Sequence, residues 1–258
     1  MNLHFEKYQG TGNDFIMIDN RRQLIDAYSL PIPALCDRKF GIGADGVIVI
    51  ENHETVDFNM MYFNPDGSQS FCGNGSRCAV AFAHSLEIIN NQTTFLSTDG
   101  IHEASFEGGE IALKMHDVAD VITHKTAFEL NTGSPHFITF VDDVSTVDII
   151  TEAHKIRYSD LYKAQGINVN FVERQAGALK MRTYERGVED ETLSCGTGVT
   201  AAALAEAFSS QKIGKNQTIE ILVEGGELSV KFSFDGTVFS NIYLIGPAKK
   251  TFTGDFRL

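Results

Sequence analysis

The sequence has few basic residues, few cysteines and no long apolar run, and each shortage excludes a class of protein. Its 258 residues include 21 Lys and Arg against 34 Asp and Glu, a formal net charge of −13. This balance excludes a dedicated nucleic-acid binder, whose affinity rests on cationic contacts to phosphates. The four cysteines are too sparse for a disulfide scaffold. A stretch of about 18 uncharged apolar residues, the length that indicates a membrane-spanning helix, is absent.

The amino terminus and the composition indicate where such a chain works. Glu6 and Lys7 interrupt the first apolar residues, so no secretory signal is predicted. Hydrophobic residues make up 43% of the chain, which predicts a folded protein of one large or two small domains. We therefore expect a soluble protein of a reducing cytoplasm, with no membrane and no nucleic acid among its partners.

Two segments about half a chain apart have matching sequences. Cys72-Gly73-Asn74-Gly75 and Cys195-Gly196-Thr197-Gly198 each open an alanine-rich segment, and they lie 123 residues apart. At a similar offset, Gly12-Asn13-Asp14-Phe15 and Gly133-Ser134-Pro135-His136 each precede an apolar run. Solenoid repeats recur every 20 to 50 residues or so, and this period is much longer. The pattern therefore predicts a duplicated domain.

The local patterns predict an α+β class. One strong helix per half is expected just after each Cys-Gly-x-Gly, because alanine favours helix. Strand-like segments occur in both halves: Val47–Glu51, Phe58–Phe63, Thr94–Ser97, Ile111–Met115, Phe137–Val141, Val169–Val172, Leu179–Thr183, Glu220–Val223 and Leu228–Phe232. We expect two pseudo-symmetric duplicated domains, each a mostly antiparallel sheet around a central helix. The first is 1–117, to which the tail 249–258 returns, and the second is 118–248, with the junction near His116–Val121.

Cys72 and Cys195 stand at the mouths of the two predicted helices. A helix amino terminus carries partial positive charge and unpaired N–H donors, so it favours thiolate and binds carboxylates. If the halves pack about a pseudo-twofold axis, one sulfur faces each side of a small molecule. A thiolate could then remove a proton from one face while a thiol delivers one to the other. We prefer this hypothesis to two structural cysteines, the role expected for Cys36 and Cys78.

Other motifs in the sequence do not predict a metal or a cofactor. The eight histidines show no ligand spacing. Residues 41–46 match the glycine pattern of dinucleotide-binding proteins, but a β-rich run follows where a helix is needed, so a turn is predicted. Cys72 and Arg77 are one residue too close for a phosphatase loop.

The motifs together resemble those of the diaminopimelate epimerases, which are pyridoxal-independent amino-acid epimerases. The similarity covers most of the chain and runs through GTGNDF at Gly10, FNPDGSQSFCGNGSRC ending at Cys78, GSPH at Gly133, GINVNFV at Gly166 and YERGVEDETLSCGTG ending at Gly198. It implies epimerisation of LL- to meso-2,6-diaminopimelate, in lysine and peptidoglycan precursor synthesis, with Cys72 and Cys195 as the acid/base pair. It also implies a small amino-acid substrate, no cofactor and a homodimer.

The resemblance implies roles for a further set of residues. The residues implied to bind the distal end of the substrate are Asn13, Asn64, Asn168 and Arg186. Those implied to bind the reacting carboxylate are Gly73, Asn74, Gly196 and Thr197. His136 and Glu185 are implied to tune the cysteines, and Glu185 also belongs to the substrate-binding set. By themselves the asparagines are typical of turns and Glu185-Arg186 of a solvated ion pair. Many relatives have Asn where Ser134 stands and some have Gln where Gly46 stands, and both positions bear on how the distal end is held.

Two other functions fit part of the same pattern. A proline or hydroxyproline racemase of the same architecture would act on a monocarboxylate and would need no distal cation, so Arg186 argues against it. A non-catalytic carboxylate-binding module would bind its ligand without exchanging a proton with solvent.

Overall fold

The computed structural model of the chain describes residues 2–258, which form two compact units. One unit contains the chain up to Leu113 together with Gly246–Leu258, and the other is Lys114–Ile245. The second unit starts slightly before the junction expected at His116–Val121. The reason is local, because the backbone N–H of Met115 already donates to the carbonyl of Ile242 within that unit. No helix among these residues is long and apolar enough to cross a membrane.

The first unit consists mainly of strands. Its elements are β1 (Asn2–Gly10), β2 (Asn13–Asp19), α1 (Ile32–Cys36), β3 (Gly46–Glu51), β4 (Phe58–Phe63), α2 (Gly73–Ser85), β5 (Gln92–Ser97), β6 (Gly100–Glu107), β7 (Glu110–Lys114) and, from the end of the chain, β17 (Lys249–Arg257). The last strand pairs antiparallel with the first, from Asn2 opposite Arg257 to Gln9 opposite Lys249. The tail thus gives β1 a second neighbour besides β2.

The second unit has a closely similar order of elements. These are β8 (Val121–Thr123), β9 (Ala127–Asn131), β10 (Pro135–Val141), α3 (Ile149–Arg157), β11 (Asn168–Gln175), β12 (Ala178–Glu185), β13 (Asp190–Thr192), α4 (Gly196–Ser209), β14 (Gly214–Val223), β15 (Gly226–Phe234) and β16 (Phe239–Pro247). The helices α1 and α3 were not predicted, whereas α2 and α4 were. In α3 only Ile149 and Ala153 are buried, so its apolar periodicity is weak, although Asp148 caps its start and basic residues occupy its last turn.

Strand pairing repeats from one unit to the other. From β1 to β7 the successive pairs are antiparallel, parallel, antiparallel, parallel, antiparallel and antiparallel. The series β9, β10, β11, β12, β14, β15 and β16 follows the same pattern. Each parallel pair is joined through a helix, since parallel strands need a crossover connection. This repetition confirms the duplicated, mostly antiparallel α+β fold.

A helix covers each face of the strands that carry the site. In β3 the run Val47–Ile50 is completely buried, which is typical of strands covered on both sides. Val47 and Val49 pack in one cluster with residues of α1, while Ile48 lies beside Gly75 of α2. In the second unit, residues of β11 alternate between a cluster with α3 and the face against α4.

Both central helices start earlier than predicted. The expectation placed them after the whole Cys-Gly-x-Gly, but α2 begins at Gly73 and α4 at Gly196, directly after each cysteine. Cys72 and Cys195 are the residues that precede the first helical residue, and both have extended backbone. The three residues after each cysteine therefore supply the first turn, whose N–H groups lack partners within the helix.

Candidate active site

In the first unit, Cys72 belongs to a small hydrogen-bonded cluster at the start of α2. Its Sγ accepts from the backbone N–H of Gly75 at 3.4 Å and donates to Oδ1 of Asn13 at 3.7 Å. The same Oδ1 accepts from Nδ2 of Asn74 at 3.4 Å. Asn13 in turn donates through Nδ2 to Asp45 at 2.7 Å, which fixes the orientation of its amide. The structure thus brings together three of the predicted residues, Asn13, Cys72 and Asn74.

Arg77 lies behind this cluster and was not assigned a role from the sequence. It is completely buried, and its Nη2 donates to Oδ1 of Asn74 at 3.0 Å and to Oγ1 of Thr11 at 3.2 Å. Burial lowers the pKa of the guanidinium from its usual value. Arg77 therefore orients the amide of Asn74 and places a cationic side chain beneath the start of α2.

Asn64 lies in a turn, the alternative that its local sequence indicated, and Gly46 lies against a tyrosine ring. Asn64 donates through Nδ2 to the hydroxyls of Ser68 and Ser70, at 3.0 and 3.1 Å, within its own loop rather than to the cluster at Cys72. A Cβ atom at Gly46 would lie 2.5 Å from Cε2 of Tyr62. The tyrosine ring therefore fills the space that a longer side chain at position 46 would need.

In the second unit, Cys195 stands at the start of α4 beside Thr197 and His136. Oγ1 of Thr197 lies 3.5 Å from Sγ of Cys195 and 2.9 Å from Nε2 of His136. His136 is completely buried, and burial, together with the positive charge of Arg186, lowers its pKa to about 3. The imidazole is therefore neutral at physiological pH, and it acts on Cys195 through a hydroxyl rather than as a charged neighbour.

Asn170 and Thr183 lie behind His136, and sequence analysis missed both. Nδ2 of Asn170 lies 3.2 Å from Nδ1 of His136, and Oγ1 of Thr183 donates to Oδ1 of Asn170 at 3.0 Å. Both residues are buried in adjacent strands, where they are direct cross-strand partners. The available signal was a second asparagine two residues after Asn168, which places a polar side chain on the same face of a strand of otherwise apolar residues.

Arg186 is held by a network that includes Ser134. The backbone N–H of Arg186 donates to Oδ1 of Asn168 at 2.9 Å. Oγ of Ser134 accepts from Nδ2 of Asn168 at 2.9 Å and from Nη2 of Arg186 at 3.3 Å, while Nη1 of Arg186 donates to the carbonyl of Gln165 at 3.1 Å. The serine hydroxyl thus joins Asn168 and Arg186, so this departure from many relatives keeps a polar contact at position 134.

Glu185 takes no part in an ion pair with Arg186 among the hydrogen-bonded and charged contacts of residues 2–258. Its Oε2 accepts from the hydroxyl of Thr192 at 2.9 Å, and burial raises its pKa above the usual value. The reading of Glu185-Arg186 as a solvated pair is therefore wrong for this chain. Glu185 is instead a partly buried carboxyl group with a hydroxyl donor.

Glu189 holds the loop that follows Arg186. Its backbone has φ +58°, an uncommon conformation for a residue with a side chain. The carboxylate accepts from Nη2 of Arg157 at 2.7 Å and from the hydroxyls of Tyr158 at 3.0 Å and Tyr184 at 3.2 Å. These bonds hold Glu189 in this conformation, in the turn between β12 and β13.

If Arg186 binds the substrate, as the resemblance implies, replacing Gly166 with alanine is expected to raise KM about tenfold. Gly166 has φ +73°, and a Cβ there would lie 2.6 Å from Cδ of Arg186, so the arginine would have to move. Gly177 is the matched control, because its φ of +90° imposes similar strain but no atom lies within 4 Å of its Cβ position. Both variants should lose about 1 kcal/mol of stability. Equal KM values for the two variants, from steady-state kinetics, would contradict this role of Gly166.

Comparison with known proteins identifies relatives whose sequences match almost the whole chain. A family model described as diaminopimelate epimerase matches residues 5–126 and 128–251. The diaminopimelate epimerase of Flavobacterium psychrophilum is 52% identical over 250 residues, covering 95% of this chain and 97% of the relative. That of Chlorobaculum tepidum is 42% identical over 262 residues, covering 96% and 99%.

Solved structures with low sequence identity share the fold. A phenazine biosynthesis protein of the PhzF family from Bacillus anthracis superposes with a TM-score of 0.81 at 13% identity, covering 100% of both chains. A probable proline racemase from Agrobacterium radiobacter gives a TM-score of 0.68 at 13% identity, covering 99% of this chain and 93% of the other. At such identities the likeness extends to the fold alone.

Proposed function

Because the chain belongs to the diaminopimelate epimerase family, we propose that it converts LL-2,6-diaminopimelate to the meso form, for lysine and peptidoglycan precursor synthesis. The observation that carries this proposal is the pair of matching helix starts, each preceded by a cysteine. The family resemblance supports a homodimer as its working form, and the four sparse cysteines support the reducing cytoplasm as its location.

The proposed reaction is a proton transfer through two cysteines. The thiolate of one takes the hydrogen of the substrate Cα as a proton, and the electron pair of the C–H bond remains on the carbon. The thiol of the other then delivers its proton to the opposite face of that carbon. The configuration is inverted, one cysteine ends as thiol and the other as thiolate, and no electrons are gained or lost. A solvent proton exchange resets the pair.

The reacting carboxylate would bind to backbone N–H groups in the first turns of α2 and α4. These turns contain Gly73 and Asn74 in one unit and Gly196 and Thr197 in the other. Such donors stabilise the negative charge that grows on the carboxylate side of the carbanion. His136 and Glu185 would tune the cysteines.

The distal amino-acid end would be held by Arg186 and by the asparagines at positions 13, 64 and 168. Arg186 presents a guanidinium already oriented by Ser134 and Gln165, and guanidinium suits a carboxylate because it donates two parallel hydrogen bonds. A proline-type racemase has no second carboxylate to place there. Arg186 therefore favours a dicarboxylate over a monocarboxylate substrate.

Incubation with LL-diaminopimelate in heavy water tests this function. We expect the meso isomer to form on chiral chromatography, with one deuterium at the inverted Cα by mass spectrometry. L-Proline under the same conditions should remain unlabelled. Faster labelling of proline than of diaminopimelate would mean a racemase of the other type, and binding without any label would mean a carboxylate-binding module.

A further inference from the structure

The hydrogen bonds behind Cys195 have a direction that the residues themselves fix. Nδ2 of Asn170 donates to the carbonyl of Phe137 at 3.1 Å, and a carbonyl can only accept. Oδ1 of Asn170 accepts from the hydroxyl of Thr183. Nδ2 therefore faces His136 as a donor, at 3.2 Å from Nδ1.

This direction selects one tautomer of His136. Because Nδ1 receives a hydrogen bond, it carries no hydrogen, and the single ring hydrogen of the neutral imidazole lies on Nε2. Nε2 is 2.9 Å from Oγ1 of Thr197, so the imidazole donates to that oxygen. A hydrogen on Nδ1 would instead point at the amide hydrogens of Asn170, which is unfavourable in a buried site.

Thr197 continues the same order of donor and acceptor as far as the sulfur of Cys195. Its Oγ1 accepts from His136, and its one hydrogen is then available to Sγ of Cys195 at 3.5 Å. A sulfur that receives a hydrogen bond at a helix amino terminus is stabilised as thiolate. We call this series of hydrogen bonds the relay: Thr183 donates to Asn170, Asn170 to His136, His136 to Thr197, and Thr197 to Cys195.

Within the part of the chain that the structure describes, the matching place in the first unit has different neighbours. A Cβ at Gly198 would lie 2.7 Å from Oδ1 of Asn170 and 3.2 Å from Cε1 of His136. At Gly75, which has the same place in α2, the corresponding neighbours are apolar: Cδ1 of Ile48 at 3.1 Å and Cε1 of Phe15 at 3.4 Å. The two units thus share the glycine, but the side chains beside it are apolar in the first unit and polar in the second.

Cys72 faces groups of a different kind. Its Sγ accepts from the backbone N–H of Gly75 at 3.4 Å, which favours a thiolate, but it also faces Oδ1 of Asn13 at 3.7 Å, an acceptor that suits a thiol and opposes a thiolate. The cation on this side is Arg77, whose Nη2 donates to Asn74 and Thr11. Its field favours ionisation of Cys72, whereas the acceptor oxygen of Asn13, held in place by Asp45, opposes it.

We propose that Asn170 is the positioning residue that holds neutral His136 in its Nε2–H form, so that Thr197 donates to Cys195 and Cys195, rather than Cys72, is the thiolate of the substrate-free enzyme. The inference rests on the proposed use of both cysteines in proton transfer. Cys195 is then the base that is ionised before the substrate binds. Asn170 stabilises this thiolate although it contacts neither substrate nor sulfur.

The tautomer and the two thiols can be measured without substrate. Long-range ¹H–¹⁵N spectra of histidine-labelled enzyme, assigned with a His136→Gln variant, should show His136 as the neutral Nε2–H form. The pH dependence of iodoacetamide alkylation, followed for each cysteine peptide by mass spectrometry, should give Cys195 a lower midpoint than Cys72. In Asn170→Ala the Cys195 midpoint should rise by about one pH unit, the size expected for loss of a hydrogen bond to a charged acceptor.

Variants of Thr183 supply the controls. Thr183→Val should raise the Cys195 midpoint in the same direction by a smaller amount, and Thr183→Ser should leave it unchanged; the Cys72 midpoint should stay constant throughout. An Nδ1–H tautomer in the unmodified enzyme, or an unchanged Cys195 midpoint in both Asn170→Ala and Thr183→Val, would overturn the role of Asn170. A Cys72 midpoint below that of Cys195 would overturn the thiolate assignment and give the larger effect to Arg77. Because none of these measurements uses diaminopimelate, they are independent of the labelling experiment that tests the function.

Discussion

Replacement of Cys72 or Cys195 with alanine is expected to lower kcat for epimerisation about a thousandfold or more. In the proposed reaction each sulfur performs the proton transfer on its own face of the carbon, and removing a positioned acid or base costs about two to four orders of magnitude. The loss should appear in kcat rather than in KM, because the N–H groups that would bind the carboxylate remain. Chiral chromatography of timed samples measures both constants.

Cys36 provides the matched control for these variants. It is a buried cysteine at the end of α1, and burial raises the pKa of its thiol to about 11. Cys36→Ala should keep kcat and KM and lose only stability, by about 1 to 2 kcal/mol for a small cavity. Full activity in either Cys72→Ala or Cys195→Ala would rule out the two-cysteine reaction.

Arg186→Gln is expected to lower kcat/KM for diaminopimelate about a hundredfold. Glutamine keeps a polar side chain of moderate length but removes the charge that would meet the distal carboxylate, and charge-assisted hydrogen bonds are roughly twice as strong as neutral ones. Most of the change should appear as a higher KM, since the distal end takes no part in the proton transfer. Steady-state rates over a wide substrate range separate the two constants.

Arg174 is the control for the loss of a positive charge in the same unit. Its guanidinium donates to Glu206 at 2.7 Å and lies 3.6 Å from the ring centre of Phe140, away from the network around Arg186. Arg174→Gln should leave kcat/KM within about twofold, because exposed ion pairs contribute little. A similar loss in both variants would indicate a general effect of net charge and would remove the reason for placing the distal carboxylate at Arg186.

Local patterns predicted those parts of the fold whose signal lies within one short segment. The alternation and β-rich composition of Phe58–Phe63 predicted β4 with the bounds that the structure has. The alanine-rich segments predicted α2 and α4, and only their first residues were misplaced. Helix α1 has five residues and α3 has a polar exposed side, so neither contrasts enough with a loop to be identified from composition.

The relay could not be predicted because it depends on register between distant strands. Asn170 meets Thr183 because β11 and β12 pair antiparallel, and it meets His136 because β10 and β11 are parallel neighbours. Neither register is visible in the residues themselves. The cysteine motifs were visible because the chemistry of a helix start is contained in four consecutive residues.

The return of β17 to β1 divides the first unit into two pieces of chain separated by the whole of the second unit. During synthesis on the ribosome the second unit is complete once Ile245 has emerged, whereas β1 waits for β17, which follows that unit in the chain. Until then one edge of β1 presents unpaired N–H and C=O groups, which other chains can join. A nascent chain that has already completed the second unit therefore still exposes this edge of β1 until β17 has emerged.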